Sequence, residues 1–169
     1  AQAFGASLLK WNPNAQTNIV SGAGPHDTQA VVSLKNNAPG GSSVTLTMAR
    51  LENNTNGGLW IITSVEASGM TITQPQAASL LSTPATIAGR GSAFEGIIGP
   101  VTILDHLYTT IGQASAHGAT GNGPTTFSTS LPYQPTFKNG AEEGLVMLAA
   151  ENNASGVVAA AVMVKVLIQ

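Results

Sequence analysis

The stretch that decides the fold is the run VVAAAVMVKVLI at positions 157–168. Side chains of a β-strand point alternately to the two faces of a sheet, so apolar residues at every second position predict a strand with an apolar face. Lys165, the one charged residue of the run, falls on the other face. The sequence therefore predicts a long closing strand, and its apolar face is expected to hold Val158, Ala160, Val162, Val164, Val166 and Ile168.

The region upstream of this run has the same character back to residue 70. Shorter runs predict strands at 70–74, 84–90, 93–98, 101–107, 109–116, 125–131 and 144–150. Many short strands at regular spacing, separated by Gly, Pro and Asn, are typical of an antiparallel β-sandwich. We therefore predict that residues 70–169 form one antiparallel β-sandwich domain.

The segment 1–69 differs because it begins with a helical pattern. Phe4, Leu8 and Trp11 lie at helical spacing, which predicts a short amphipathic helix, and Pro13 limits its extension. A small antiparallel meander is predicted after it, with strands at 30–35, 44–51 and 59–67 and with turns in the Asn- and Gly-rich segments 36–41 and 52–58. These features predict a small α+β domain over 1–69, which ends near Ala67 and packs on the sandwich.

The composition is that of a folded chain with little charge. Of its 169 residues 43% are hydrophobic and 8% are charged, compared with about 25% charged in a typical globular domain. The formal net charge is −2 and the basic residues are scattered, so the chain lacks the electrostatic footprint of a nucleic-acid-binding protein. The longest apolar run, 157–164, is far shorter than the roughly 20 residues that span a bilayer, so no membrane span is expected.

The absence of cysteine excludes disulfide bonds, thiolate catalysis and zinc sites built on cysteine. The composition, low in charge and rich in Thr, Asn and Gly, favours an extracytoplasmic bacterial protein over a cytosolic enzyme. The first residues, AQAFGASLLKW, lack the basic start and long apolar run of a signal peptide. We therefore expect a secreted, cell-surface or lipoprotein chain from which the signal sequence has been removed.

Several motifs after residue 70 occur in the order found in a known family. They are ITQP at 72–75, STPATIAGRGS at 82–92, the pair Phe94-Glu95, PVTILD at 100–105, TTFSTSLPY at 125–133, GLVMLAAENNASG at 144–156 and AVMVKVLI at 161–168. With them the chain resembles, over about residues 70–169, the Gmad2 family, an immunoglobulin-like domain associated with bacterial spore germination. The resemblance implies an immunoglobulin-like β-sandwich. Ser92 and Ala93 stand where that family often carries Trp, and residues 1–69 resemble no family that we can name.

The resemblance gives structural roles to the residues around the two lone charges in the middle of the chain. It implies that Phe94 fills the core of the sandwich and that Gly89 permits a bend or a close approach of strands. Arg90 and Glu95 are expected to pair with each other or with backbone groups, because isolated buried charges are costly. Asp105 ends the following strand. These five residues are assigned to the architecture, with contact to a ligand as the alternative for Arg90 and Glu95.

Three groups of polar residues could carry chemistry, and each has a simpler interpretation. They are Ser21 with His26 and Asp27, Asp105 with His106 and His117, and the pair Glu142 and Glu143. A catalytic triad needs convergence in space, which adjacency in one loop does not provide, so the first group is predicted to be a surface loop. The second group has no recognised metal-ligand spacing and is predicted to be a polar cluster at a strand end; the third is predicted to be a solvated loop. We predict no catalytic residues, no metal site and no cofactor.

Three aromatic residues, Trp11, Trp60 and Tyr108, could form a platform on which a sugar stacks. The alternative is that Trp60 packs in the core of the first domain or against the second, because large aromatic side chains dominate cores and interfaces. For this reason the packing role is favoured. The sequence alone also cannot place the three rings in one plane.

These observations favour a protein that is not an enzyme. The leading hypothesis is a non-catalytic module of the bacterial envelope, in which an immunoglobulin-like domain binds an envelope protein or a cell-wall component through loops and strand edges. A role in germination follows only from the resemblance. Two alternatives stay open, a subunit of a surface fibre that assembles by strand addition, and a module that binds carbohydrate or peptidoglycan.

Overall fold

The computed structural model describes residues 1–38, 41–52, 58–119, 121–137, 139–152 and 157–169, the side chains of 151 and 152 excepted. The chain is mainly β, and its sheets are antiparallel apart from one short parallel pair. Among the described residues no helix has the length and apolar character needed to cross a membrane.

The first part of the chain contains one short helix and four strands. These are α1 (Gln2–Ser7), β1 (Gln16–Gly22), β2 (Gln29–Lys35), β3 (Ser43–Glu52) and β4 (Leu59–Ala67). The second part consists of β5 (Thr71–Gln74), β6 (Leu80–Leu81), β7 (Ala85–Ala93), β8 (Ile97–Leu104), β9 (Thr110–His117), β10 (Gly123–Leu131), β11 (Glu142–Asn152) and β12 (Val157–Ile168).

The strands form one large sheet and one small sheet. The large sheet has the order β1-β2-β3-β4-β12-β11-β8-β9, and β6 adds to it as a further partner of β12. The small sheet has the order β10-β7-β5. The large sheet therefore joins the meander of the first part to the strands of the second part, through the contact between β4 and β12.

The first core lies where the small sheet faces part of the large sheet. Ile87 and Phe127 of the small sheet pack with Val101, Val146 and Val162 of the large sheet, all of them buried. Gly89 lies opposite Phe127 in the register of β7 and β10. A Cβ at Gly89 would collide with the Thr71 carbonyl oxygen and with the ring of Phe127, so the predicted close approach of strands at this glycine is confirmed.

The second core lies on the opposite face of the large sheet, under the N-terminal segment. Phe4, Leu9 and Trp11 are buried there together with residues of β2, β3, β4, β11 and β12. The indole Nε1 of Trp11 donates a hydrogen bond of 2.6 Å to the carbonyl oxygen of Val158, which satisfies its buried polar atom. Because β11 and β12 contribute to both cores, the middle of the large sheet is buried on both faces.

Most of the predicted strands are confirmed, and their bounds move by a few residues. The predicted strand 84–90 is confirmed as part of β7, which continues to Ala93. The predicted strand 93–98 is wrong, because residues 94–96 form the turn between β7 and β8. The helix ends at Ser7, and the exposed strand β1 and the two-residue strand β6 were not predicted. The predicted turn 52–58 lies largely outside the described residues, as do the middle of the turn 36–41 and the family motif's Asn/Ser turn at 153–156.

The predicted face of the closing strand is right at five positions and wrong at Val158. Ala160, Val162, Val164, Val166 and Ile168 border the first core, whereas Val158 is buried in the second. The reason is a register shift between β11 and β12, where Ala150 pairs with Ala160 and Glu151 pairs with Val158. A β-bulge places one extra residue in a strand, so the alternation of faces changes by one beyond it.

The proposed boundary near Ala67 stays a prediction, although the large sheet runs across it. Met163 pairs with Val65 and Val164 pairs with Ser64, which bonds β12 directly to the meander. The second core also contains Leu46 and Val65 from the first part beside Leu145 and Met163 from the second part.

Tyr133 ties together three segments at one end of the first core. Its buried hydroxyl donates to the Leu81 carbonyl oxygen at 2.8 Å and lies 3.1 Å from the carbonyl oxygen of Gln169, while its backbone N–H donates to Thr83 Oγ1. Burial raises the pKa of the Tyr133 phenol above its ordinary value of 10.0.

We predict that Tyr133→Phe lowers the free energy of unfolding by about 1–2 kcal/mol, because the buried hydrogen bond from the phenol to the Leu81 carbonyl oxygen is lost. The raised pKa means that the folded state holds the phenol proton more tightly than the unfolded chain. This part of the stability is complete below pH 10 and is lost as the pH rises through the pKa of the folded state. Urea unfolding at pH 8 to 11 measures the effect.

The matched control is Tyr108→Phe, because Tyr108 is half-exposed. The decline of stability above pH 10 should persist in Tyr108→Phe and be weaker in Tyr133→Phe. Identical pH profiles for Tyr133→Phe and the unmodified chain would contradict the assignment to the buried phenol.

Candidate binding cleft

The large sheet divides where β4 separates from β12. In the described part of the chain, β4 pairs with β12 only at Ser64 and Val65. Beyond this point β12 takes residues 78–81 as its partner: Ala78 N–H donates to the Lys165 carbonyl oxygen, and Leu167 and Ile168 pair with β6. Since one edge of a strand offers a single row of hydrogen-bonding groups, the outer end of β4 stands apart from β12.

Two adjoining cavities lie in the space opened by this division. The first, of about 450 Å³, lies between α1, the outer ends of β3 and β4, and the turn that joins β8 to β9; its lining includes Phe4, Leu8, Met48, Trp60, Ile62, Leu107 and Tyr108. The second, of about 220 Å³, is lined by residues that include Ile61, Ile62, Asp105, His106, Tyr108, Glu143 and Lys165. Both cavities border Ile61, Ile62 and Tyr108. We call the two cavities together the fork cleft.

Trp60 is held in place on one side of the fork cleft. The guanidinium carbon of Arg50 lies 4.5 Å from the centroid of the Trp60 ring, a cation–π contact. Arg50 in turn donates from Nη1 to the Pro25 carbonyl oxygen at 2.6 Å and from Nη2 to the Gly24 carbonyl oxygen at 2.8 Å. The turn between β1 and β2 therefore holds the Arg50 guanidinium, which in turn covers one face of the Trp60 ring.

Tyr108 lies on the other side of the cleft, on a turn that Asp105 organises. The buried carboxylate of Asp105 accepts hydrogen bonds at Oδ1 from the backbone N–H groups of Leu107 and Thr109, at 2.9 and 2.8 Å. Tyr108 has a φ of 62°, in the left-handed region that few bulky residues adopt, and its side chain is 47% exposed. Leu107 is 70% exposed. The turn thus holds two large apolar side chains toward solvent and the cleft.

Two pairs of polar side chains lie at the end of the cleft nearest β11. Lys165 Nζ lies 2.8 Å from Glu143 Oε2. Nδ1 of His106 lies 2.6 Å from Oε2 of Glu142, whose other carboxylate oxygen accepts a hydrogen bond from Thr136 at 3.0 Å. The Glu142 side chain is only 8% exposed, so its predicted place in a solvated loop is wrong; it begins β11 and has two partners. Glu143 is exposed as predicted.

The two lone charges, Arg90 and Glu95, do not line the fork cleft. Arg90 is exposed in the middle of β7, and Glu95 is exposed in the turn before β8, where its N–H donates to Asn122 Oδ1. No ion pair joins these two side chains, both of which the structure describes, so the pairing expected of buried charges does not arise. The prediction that Phe94 fills the core is wrong, because its side chain is 57% exposed at the end of a strand.

The other polar candidates do not form a site in the described residues. Ser21, His26 and Asp27 are exposed, and Asp27 accepts a hydrogen bond from the Gly24 N–H within the turn from β1 to β2. His117 pairs with Ile97 at the end of β8 opposite to Asp105 and His106. Over the described ranges, no group of three or more His, Cys, Asp or Glu is placed to hold a metal ion.

Two of the three predicted aromatic residues meet in the cleft. Trp60 and Tyr108 line its first cavity, whereas Trp11 is buried in the second core. Sequence reasoning missed Arg50, Met48 and Leu107 as their neighbours. Nothing in the sequence indicated that the division of the sheet would leave the outer ends of β3 and β4, with Met48 and Trp60, open to a cavity.

The comparisons with known proteins add no relationship to this description. No protein-family model matches the chain, and no curated protein or solved structure shows a significant match to it. The resemblance to the Gmad2 family stays a prediction.

We predict that Asp105→Ala loosens the turn that carries Tyr108. Two backbone N–H groups lose a charged acceptor, which should lower the free energy of unfolding by about 1.5–3 kcal/mol. Asp105→Asn retains an acceptor oxygen at the same position and should cost less. Urea denaturation of both variants measures the difference, and equal losses would show that the acceptor geometry of Asp105 does not hold the turn.

Proposed function

We propose that this protein is a non-catalytic recognition module of the bacterial cell envelope and that it binds its partner through the fork cleft. The observation that carries the proposal is the conformation of Tyr108. A bulky side chain is held at positive φ and half-exposed beside Trp60, although Gly or Asn would suit that backbone at lower cost. Backbone strain of this kind clusters at ligand-binding positions. The first cavity, at about 450 Å³, falls in the range of about 300–1,000 Å³ common to ligand sites.

The finer fold belongs to the same proposal. We assign residues 70–169 to an immunoglobulin-like β-sandwich of the Gmad2 type and residues 1–69 to a small α+β domain that precedes it. The packing of β5, β7 and β10 on β8, β9, β11 and β12 across one apolar core supports this assignment. The composition, low in charge and rich in Thr, Asn and Gly, supports an extracytoplasmic location, and a role associated with spore germination would follow from the family.

Binding to isolated envelope material tests the proposed function. We predict that the full chain co-sediments with purified bacterial envelope fragments and that Tyr108→Gly abolishes this binding. Glycine suits the positive φ of this position, so the variant should fold with a melting temperature close to that of the unmodified chain.

The matched control is Phe94→Ala, which removes an equally exposed aromatic ring at the opposite end of β8. This variant should sediment like the unmodified chain. If the chain stays in the supernatant with envelope fragments of several bacterial types, the proposed envelope function is wrong. If Tyr108→Gly binds the fragments as well as the unmodified chain does, the fork cleft is not the binding site.

A second candidate function, self-association, is favoured by the edge strand β1. It ends the large sheet, pairs only with β2 in the described structure, and contains no charged residue. Ile19 and Val20 on this strand are 61% and 59% exposed. Proteins commonly protect such edges with Lys or Pro, because an open edge can accept a strand from another chain. A β-bulge also weakens pairing at an edge, and β1 has one at Val20.

The strand edges limit what such an assembly can be. The N-terminal segment and β12 are not available as donor strands, since β12 is bonded on both edges and the N-terminal segment contributes to the second core. An edge that pairs with its own copy about a two-fold axis closes at a dimer, so a fibre requires a second, different contact.

We predict that the chain forms a dimer at high concentration through β1 and that Val20→Lys makes it monomeric, because a charge on an edge strand opposes pairing. Light scattering over a wide concentration range measures the mass, and Thr17→Lys at the end of the same strand tests how local the effect is. A mass independent of concentration, and equal in Val20→Lys and the unmodified chain, would contradict association through this edge.

A further inference from the structure

We propose that the fork cleft binds an uncharged oligosaccharide, which stacks on Trp60 and Tyr108 and forms hydrogen bonds with the polar pairs at the β11 end. This inference rests on the proposed recognition function and gives the chemical class of the ligand. Its structural basis is the convergence of two aromatic side chains, Trp60 and Tyr108, with the polar side chains of His106, Glu143 and Lys165 in the lining of the cleft. These residues come from four separate segments of the chain.

The aromatic residues supply the first part of the site. A pyranose ring has an apolar face of C–H groups and a rim of hydroxyl groups, so it suits a large aromatic surface next to polar atoms. Trp60 offers such a surface in a fixed orientation, because Arg50 covers one face and is itself held by two backbone carbonyl groups. Tyr108 is fixed by the turn around Asp105. Surfaces that are ordered before the ligand arrives lose little conformational entropy on binding.

The polar residues supply the second part. Lys165, Glu143 and His106 line the second cavity and present donors and acceptors side by side, and sugar hydroxyl groups both donate and accept. Glu142 holds His106 from outside the lining. Each carboxylate lies beside a basic group, and Asp105 directs Oδ1 to two backbone N–H groups. The cleft therefore has no surplus of positive charge for an acidic glycan. The arrangement favours an uncharged ligand, since a charged one would have to displace an existing ion pair.

The competing occupant is a peptide with apolar side chains, because Met48 and Leu107 also line the first cavity. An oligosaccharide is the better fit to the whole cleft. An apolar peptide would form no hydrogen bonds through its side chains with His106, Glu143 and Lys165 of the second cavity, whereas a chain of sugar rings can bind in both cavities.

Calorimetric titration of the full chain with chitohexaose, cellohexaose, mannohexaose and maltohexaose tests the proposal, with hexagalacturonate as the charged comparison. We expect measurable binding of at least one neutral oligosaccharide and weaker binding or none of hexagalacturonate. Tyr108→Gly and Lys165→Gln should each weaken that binding about tenfold or more, equivalent to about 1.4 kcal/mol. Phe94→Ala should bind like the unmodified chain. Tyr108→Asn, which also suits positive φ, replaces Tyr108→Gly if the glycine variant does not fold.

The outcomes separate this inference from the function on which it rests. If none of the neutral oligosaccharides binds while envelope fragments are retained in a manner that depends on Tyr108, the recognition function stands, the ligand class is wrong, and a peptide partner takes its place. If an oligosaccharide binds equally to Tyr108→Gly and to the unmodified chain, the fork cleft is not its site. Stronger binding of hexagalacturonate than of every neutral sugar would overturn the inference from charge.

Discussion

The structure depends on one strand, β12, whose middle is buried on both faces. This strand bonds to β11 along one edge, and on the other edge to β4 and then to residues 78–81. Its side chains alternate between the two cores, so Val162 packs under the small sheet and Met163 packs under the N-terminal segment. A strand in this position must be almost free of charge, and its single charged residue, Lys165, lies where the N-terminal cover ends and the fork cleft begins. The strand thereby joins the meander, the sandwich-like part and the cleft in one sheet.

The division of the sheet follows from the same strand. One edge of β12 serves β4 at Met163 and Val164 and then serves residues 78–81. Because both partners cannot occupy the same stretch of that edge, the outer end of β4 diverges. Opposite to it lies the turn between β8 and β9, which the buried Asp105 shapes. The fork cleft is thus a direct consequence of two neighbouring strands competing for one row of backbone groups.

The residues of the cleft show how a chain with few charges can still gather polar side chains at one place. Two described side-chain pairs involve the start of β11: the ion pair of Lys165 with Glu143 and the hydrogen bond between His106 and Glu142. Arg50, Trp60 and the turn before β2 form a separate rigid unit on the other side. The lone charges Arg90 and Glu95, which are conspicuous in the sequence, are exposed on a different part of the surface.

The sequence by itself determined the strand-rich architecture and five of the six positions on the apolar face of the closing strand, because the alternation of side chains is a local property of the chain. It also singled out Trp11, Trp60 and Tyr108 as a possible platform for a sugar, while favouring a packing role for Trp60. Only the tertiary structure decided that Val158 changes face, that Phe94 is exposed, that Glu142 is buried against His106 and that β4 parts from β12. These features depend on a bulge, on where strands end and on pairing between segments that are distant in sequence. The local pattern of apolar residues does not indicate which strands become neighbours.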